Sequence, residues 1–324
     1  MEWEPLYLTN ATFNGKGHTI KNLKLNSSTD IIGFFSGGNI YLYDAKFKNA
    51  EIDEIKYRSV SEISLLGSVY ADSCTVEGQI NVSSIDEIRI YGLNSGVDCQ
   101  LRIDIAARGS DAHVFGMVNC INCEYEGNIC GDCFSKTGMY DCHNCLMYGN
   151  VDSDDWEIYG DTYGILKSEN CEIYGNITGN GEYTYGIAGS KNCTIEGDIG
   201  NYRGTGHYTY CIYESTQCEI TGTALGTVKE MDVIYDCTGC LFNGIISGPG
   251  NIDAISVSQD CVINGNMVGT GNRGGIALSR NCIINGNISG SSGEVVSGIA
   301  NGCVDCVING NISCRCDVIY GIDC

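Results

Sequence analysis

Residues 192–199 read Asn-Cys-Thr-Ile-Glu-Gly-Asp-Ile, and variants of this stretch return every 21 to 26 residues through most of the chain. Each copy has a cysteine, an apolar residue two positions later and, in most copies, glycine two positions after that. Apolar alternation with a period of two predicts β-strands, and so short a repeat predicts a solenoid of stacked coils. The repeated cysteines, here called the anchor cysteines, are Cys74, Cys99, Cys123, Cys145, Cys171, Cys193, Cys218, Cys240, Cys261, Cys282 and Cys306.

The core of this solenoid can be read from the parity of each repeat, because side chains alternate between the two faces of a strand. Positions two and six residues after the anchor, and six before it, are almost always apolar. Two prolines and 44 glycines also fit a chain of strands and tight corners. The sequence predicts an all-β fold, a single right-handed parallel β-helix of about 13 coils with a stacked cysteine column. The residues two positions after the anchors form one inward row, which consists of Val76, Leu101, Tyr125, Met147, Ile173, Ile195, Ile220, Phe242, Ile263, Ile284 and Ile308.

The chain has 21 cysteines, a content that would suggest disulfides in a small secreted protein. Equivalent positions in stacked strands lie about 4.8 Å apart with parallel side chains, slightly too far for a bridge. We therefore expect the anchors to form a reduced, buried column of thiols that pack as small apolar groups.

Two cysteine pairs, Cys120 with Cys123 and Cys142 with Cys145, have the spacing of a common zinc site. The solenoid explains the same spacing, since the pairs are one coil apart and other coils carry serine three residues before the anchor. We expect no metal there, and no cofactor elsewhere.

The first 55 residues lack the anchor cysteine but keep the rhythm of the coils. Trp3-Glu4-Pro5-Leu6 precedes Phe13-Asn14-Gly15-Lys16-Gly17-His18-Thr19-Ile20, and Gly33-Phe34-Phe35-Ser36-Gly37 follows. Over residues 3–52 the chain resembles the GLUG-type repeats of bacterial surface and adhesin-like proteins. The resemblance implies a right-handed parallel β-helix at the cell surface, in a non-catalytic or unassigned role. We divide the solenoid into residues 1–55, the GLUG-like coils, and residues 56–324, the cysteine-anchored coils.

The net charge of −22 disfavours nucleic acid and anionic membranes as partners. No apolar stretch reaches the roughly 20 residues that a membrane-spanning helix needs, so we expect no membrane insertion. The N-terminus also lacks the basic and apolar regions of a signal peptide. Either the protein is intracellular or the sequence is a segment from which such a region is missing.

Tyrosine is abundant, with 20 residues, and clusters between positions 140 and 235. Parity predicts that Tyr163, Tyr185 and Tyr210 share one column and are stacked core or corner residues, whereas other aromatic residues fall in longer connections beside an acidic cluster. Exposed aromatic side chains next to carboxylates suit stacking on sugar rings. The predicted ligand-binding residues are Trp156, Tyr159, Tyr183, Tyr208, Asp154 and Asp155.

One outward position changes character toward the C-terminus. The residue after the anchor is polar in most early coils and apolar in the last four. An exposed apolar stripe predicts a packing partner, either another subunit or a further part of a longer chain. The stripe consists of Leu241, Val262, Ile283 and Val307.

These features favour a non-enzymatic extracellular module, an adhesin-like stalk or a recognition surface for a glycan or a cell-surface protein. A phage tail-spike or tail-fibre module on a virion is an alternative, because assembly in a reducing cytoplasm accommodates the cysteines. A polysaccharide lyase or glycoside hydrolase is the other alternative, although no paired-carboxylate motif is evident. The last rung carries no cap, so we also expect a longer protein or a covering subunit.

Overall fold

The computed structural model describes residues 2–3, 5–25, 31–55, 61–83, 87–152, 160–200, 208–226, 229–290, 295–300, 302–315 and 318–322. The described residues form parallel β-strands and no helix, which confirms the predicted all-β solenoid. The strands make about 11 turns, slightly fewer than the roughly 13 coils predicted.

Contacts between residues divide the chain into two compact units. Unit 1 comprises residues 1–158 and 168–173, and unit 2 comprises residues 159–167 and 174–324. The strands of unit 1 are Glu2–Trp3, Leu6–Asn14, Thr19–Lys21, Lys24–Leu25, Ile31–Ile32, Phe35–Tyr43, Lys46–Ile55, Glu62–Ser64, Tyr70–Asp72, Thr75–Ser83, Ile88–Asn94, Gly96–Val97, Gln100–Val118, Glu124–Glu126, Ile129–Cys130, Cys133–Tyr140 and Leu146–Tyr148, together with Glu172–Tyr174, which ends at the division.

Each coil of unit 1 has three faces. In one coil, Thr75–Ser83 forms the first face, Ile88–Asn94 the second and Gly96–Val97 the third. Each strand pairs in parallel with its equivalent in the next or the preceding coil, for example Val76 with Leu101 on the first face. A side chain on one face therefore has its counterpart one coil away directly beside it.

Unit 2 repeats this arrangement with a shorter third face. The coil that contains Glu219–Leu225 and Glu230–Tyr235 closes through single bridges, such as Thr238 with Gln259. The strands of unit 2 are Asp161–Leu166, Ile177–Thr178, Tyr183–Ala188, Thr194–Glu196, Ile199–Gly200, Tyr208–Tyr213, Glu219–Leu225, Glu230–Tyr235, Leu241–Gly248, Asn251–Ser256, Val262–Asn264, Met267–Gly269, Arg273–Ala277, Ile283–Asn285, Ile288–Gly290, Val295–Ile299, Val307–Asn309, Ile312–Cys314 and Val318–Ile322.

The predicted core rows lie inside both units. The residues two positions after the anchors are buried from Val76 to Ile284, and Ile308 in the last row is half-buried. All eleven anchors carry free thiols and all but Cys306 are buried. Cys314, which is not an anchor, is disulfide-bonded. The cysteine column is therefore a packed row of the core, as predicted.

Left-handed corners precede the anchors, where the sequence favours Asn and Asp. Asn122 and Asn144 both have φ of 54°, a conformation that asparagine adopts more readily than most residues. The Asn144 Nδ2 donates to Asn122 Oδ1 at 3.3 Å, and Asn122 Nδ2 donates to Asp98 Oδ1 at 3.1 Å. These side chains form a polar ladder that holds successive corners of unit 1 in register.

Candidate functional site

The predicted ligand-binding residues divide into two groups. Trp156, Tyr159, Asp154 and Asp155 lie outside the described residues. Tyr183 and Tyr208 are described, and both begin strands of the second face of unit 2 instead of lying in connections as predicted. They pair in register, with ring centroids 5.2 Å apart and ring planes 13° from parallel.

A second row of tyrosines runs beside this pair. Tyr163 stacks on Tyr185 at 4.8 Å, and Tyr185 stacks on Tyr210 at 5.2 Å. The predicted stacking of these three residues is confirmed, but they do not lie in the core. They are half-buried on the outer side of the sheet, and the buried residues are their neighbours Thr162 and Thr184. Parity counted back from the anchor fails inside these strands, because in Asp161–Leu166 the alternation breaks at Gly164 and Ile165, which are both buried.

Seven tyrosines contribute to this surface, which we call the tyrosine face. Within a stack each inner ring covers the faces of its neighbours. Burial raises the pKa of Tyr163, Tyr185 and Tyr210 above the ordinary value, so their hydroxyls stay protonated and able to donate hydrogen bonds. The tyrosine face consists of Tyr163, Tyr183, Tyr185, Tyr208, Tyr210, Tyr213 and Tyr235.

Carboxylates adjoin the tyrosine face at several points. The Tyr163 hydroxyl donates to Asp161 Oδ2 at 3.3 Å. Tyr210 is in register with Asp232, which is in turn in register with Asp253. Asp232 is only 5% exposed, and its burial, with the charges of Asp253 and Glu230, raises its pKa to about 7. The surface is thus both aromatic and acidic.

The four cysteines with zinc-like spacing do come together in unit 1. The Cys123 amide donates to Cys145 Sγ at 3.4 Å, and Cys145 Sγ–H donates to the Cys120 carbonyl at 3.3 Å. The hydrogen bonds with Cys120, together with burial, raise the pKa of both Cys123 and Cys142, so these two thiols stay protonated. Among the described residues, no group of three or more His, Cys, Asp or Glu side chains is arranged to hold a metal ion.

One concave site escaped the sequence analysis. It is a groove of about 750 Å³ on the third face of unit 1. Tyr41 and Tyr70 stack there at 5.3 Å and are 54% and 51% exposed. We call it the Tyr70 groove and define it by Thr12, Tyr41, Tyr70, Asp72, Ser95 and Asn119.

A sequence signal for the Tyr70 groove existed. Tyr70 lies four residues before Cys74, and Tyr41 lies four residues before Ala45, which takes the anchor position in its coil. The signal was missed because that coil has no anchor cysteine to set its numbering. Aligning the two coils would have placed the two rings side by side.

The predicted apolar stripe is present on the first face of unit 2. Leu241, Val262, Ile283 and Val307 are in register from coil to coil. The first three are half-buried and Val307 is 44% exposed. Beside the stripe runs an amide ladder, in which Asn264 Nδ2 donates to Asn243 Oδ1 at 2.8 Å. The stripe thus has a polar border.

Comparison with known proteins adds no relative. No family model, curated protein or solved structure matches the chain. Within the described residues, no helix has the length and apolar character needed to cross a membrane.

Proposed function

We propose that the protein is a non-enzymatic, extracellular recognition module, adhesin-like in character, whose tyrosine face binds a glycan or a protein at a cell surface. The observation that carries the proposal is the pair Tyr183 and Tyr208, repeated one coil apart with ring centroids at 5.2 Å. Tyrosine supplies apolar contact and a hydroxyl group at little conformational cost. A row of such side chains at the coil spacing suits a ligand that is itself a repeating polymer.

The charge of the surface narrows the ligand. Three carboxylates lie along one edge of the tyrosine face. Asp161 and Glu230 are in the same row of the sheet as Tyr183 and Tyr208, and Glu182 directly precedes Tyr183. With a net charge of −22, the protein would repel polyanions, so neutral or cationic ligands are favoured. The resemblance of residues 3–52 to GLUG-type repeats supports the extracellular, adhesin-like setting.

A glycan array tests the proposal, with wild type compared with a Tyr183→Ala, Tyr208→Ala double variant. We expect the double variant to bind at least about tenfold more weakly, a loss of about 1.4 kcal/mol. Tyr320→Ala is the matched control. Tyr320 is an exposed tyrosine on the second face of unit 2, but it is not one of the seven residues of the tyrosine face. Equal binding by the double variant would contradict the proposed surface. Release of reducing ends from a bound polysaccharide would contradict the non-enzymatic role.

A phage tail-spike or tail-fibre module is the second candidate, and one observation favours it. The structure has 18 described cysteines as free thiols, which suits assembly in a reducing cytoplasm. Tail spikes of this kind would be trimers. Sedimentation analysis of the purified chain would therefore favour this candidate if it gave a stable trimer, and would count against it if it gave a monomer.

A further inference from the structure

We propose a second, separate binding site: the Tyr70 groove of unit 1 holds a pyranose ring of a neutral glycan against the open face of the Tyr70 ring. The groove lies entirely in unit 1, whereas the tyrosine face lies in unit 2. The inference therefore does not rest on the proposed function of the tyrosine face, and either can fail without the other.

The row of side chains that contains Tyr70 ends abruptly. Thr12 is in register with Tyr41, and Tyr41 with Tyr70. The next residue of the row is Ser95, since the adjacent Ala71 pairs with Gly96. Tyr41 covers one face of the Tyr70 ring, but the serine side chain is too short to cover the other. That second face borders the groove.

The tyrosine face offers no equivalent platform at its centre. Tyr185 lies between Tyr163 and Tyr210, and both of its faces are covered by stacked rings. Tyr70 has a ring neighbour on one side only among the described residues, and it remains 51% exposed. An open aromatic face is the feature that the apolar C–H side of a sugar ring packs against.

Polar groups surround this platform where sugar hydroxyl groups would lie. Asp72 is exposed, and its Oδ1 accepts a hydrogen bond from Ser73 at 2.7 Å. Asn119 and Thr12 are exposed at the other borders of the groove. A carboxylate, an amide and hydroxyl groups around an aromatic platform can accept and donate the hydrogen bonds that a polyol requires.

Charge and size select a neutral saccharide. The described lining has a carboxylate, Asp72, and contains no lysine or arginine, so an anionic sugar would be repelled. The volume of about 750 Å³ falls within the range of about 300–1,000 Å³ typical of ligand sites. Such a space holds more than one sugar ring, so we expect a short oligosaccharide segment to bind better than a monosaccharide.

Calorimetric titration of the full chain with neutral tetrasaccharides of glucose, mannose, galactose and N-acetylglucosamine tests the inference. We expect at least one to bind, Tyr70→Ala to weaken that binding by about tenfold or more, and Tyr70→Phe to stay within about threefold of wild type. Tyr7→Ala is the matched control, because Tyr7 is 76% exposed on the same face and does not line the groove.

The outcomes separate the two sites. Binding that survives Tyr70→Ala, or an absence of binding by all four tetrasaccharides, would overturn the inference. Loss of binding in the Tyr183→Ala, Tyr208→Ala variant with Tyr70→Ala unaffected would assign the saccharide to the tyrosine face instead. Melting temperatures of all variants within about 2 °C of wild type would exclude unfolding as the cause.

Discussion

The Cys218 Sγ accepts the amide proton of Cys193 at 3.4 Å, so a side chain of one coil holds the backbone of the coil before it. The Cys218 thiol also donates to the Thr216 carbonyl at 3.4 Å, and the residue is 1% exposed. The same relationship joins Cys123 to Cys145 in unit 1. Each anchor of this kind is therefore both an apolar core residue and a hydrogen-bond acceptor between coils.

Replacing Cys218 by serine should lower the free energy of unfolding by about 1–3 kcal/mol. The shorter C–O bond draws the acceptor away from the Cys193 amide and leaves space where the sulfur packed. Urea denaturation followed by circular dichroism measures the change. Glu196→Gln, on an exposed side chain of the same unit, should change stability by less than about 0.5 kcal/mol. A serine variant as stable as wild type would mean that the sulfur contributes nothing specific.

Thiol labelling should distinguish buried anchors from the cysteines near the surface. In the native protein we expect a thiol reagent to modify Cys130, Cys303 and Cys306, which are half-buried, well before the fifteen other free cysteines described, which are buried. In denaturant without reductant, all 18 should react. Peptide mass mapping identifies the modified residues. Extensive disulfides after purification under argon would contradict the reduced column.

The sequence was sufficient for the fold because the repeat places the same residue type at the same depth in every coil. The inward rows followed from parity, and the left-handed corner at Asn122 has a residue type that adopts this conformation readily. Parity failed for Tyr163 and its stack, because the alternation breaks inside the strand, where Gly164 and Ile165 are both buried. The Tyr70 groove could not be predicted from one coil, since its concavity depends on the small side chain at Ser95 in the next.

The buried carboxyl of Asp232 should make stability depend on pH. Its pKa is raised from 3.8 to about 7 in the folded protein, so the folded state binds this proton more tightly than the unfolded state. The contribution of this proton to stability is fully present below about pH 4 and is lost as pH rises through about 7, a change on the order of 4 kcal/mol. Asp232→Asn should reduce this dependence, although Asp253, whose pKa burial also raises, will retain part of it.

Urea titrations at pH 4.5, 6 and 7.5 measure the difference between Asp232→Asn and wild type. We expect the asparagine variant to gain stability relative to wild type as pH rises. Asp72→Asn is the control, because Asp72 is exposed. A constant difference across the three pH values would show that Asp232 is ionised in the folded protein throughout.

The apolar stripe on unit 2 should mediate self-association. Its side chains Val262 and Ile283 are in register and half-buried, and Val307 at its end is 44% exposed. Lysine at Val262 and Ile283 would place two ammonium groups in any contact made by the stripe. Burying these charges without partners would cost more free energy than the contact supplies. By light scattering at about 50 µM we expect wild type to exceed the monomer mass and the Val262→Lys, Ile283→Lys variant to be a monomer.

Val268→Lys is the matched control, since Val268 is 41% exposed and lies outside the stripe. A monomeric wild type, together with an unchanged circular dichroism spectrum of the lysine variant, would contradict self-association through the stripe. The partner of the stripe would then be a further part of a longer chain.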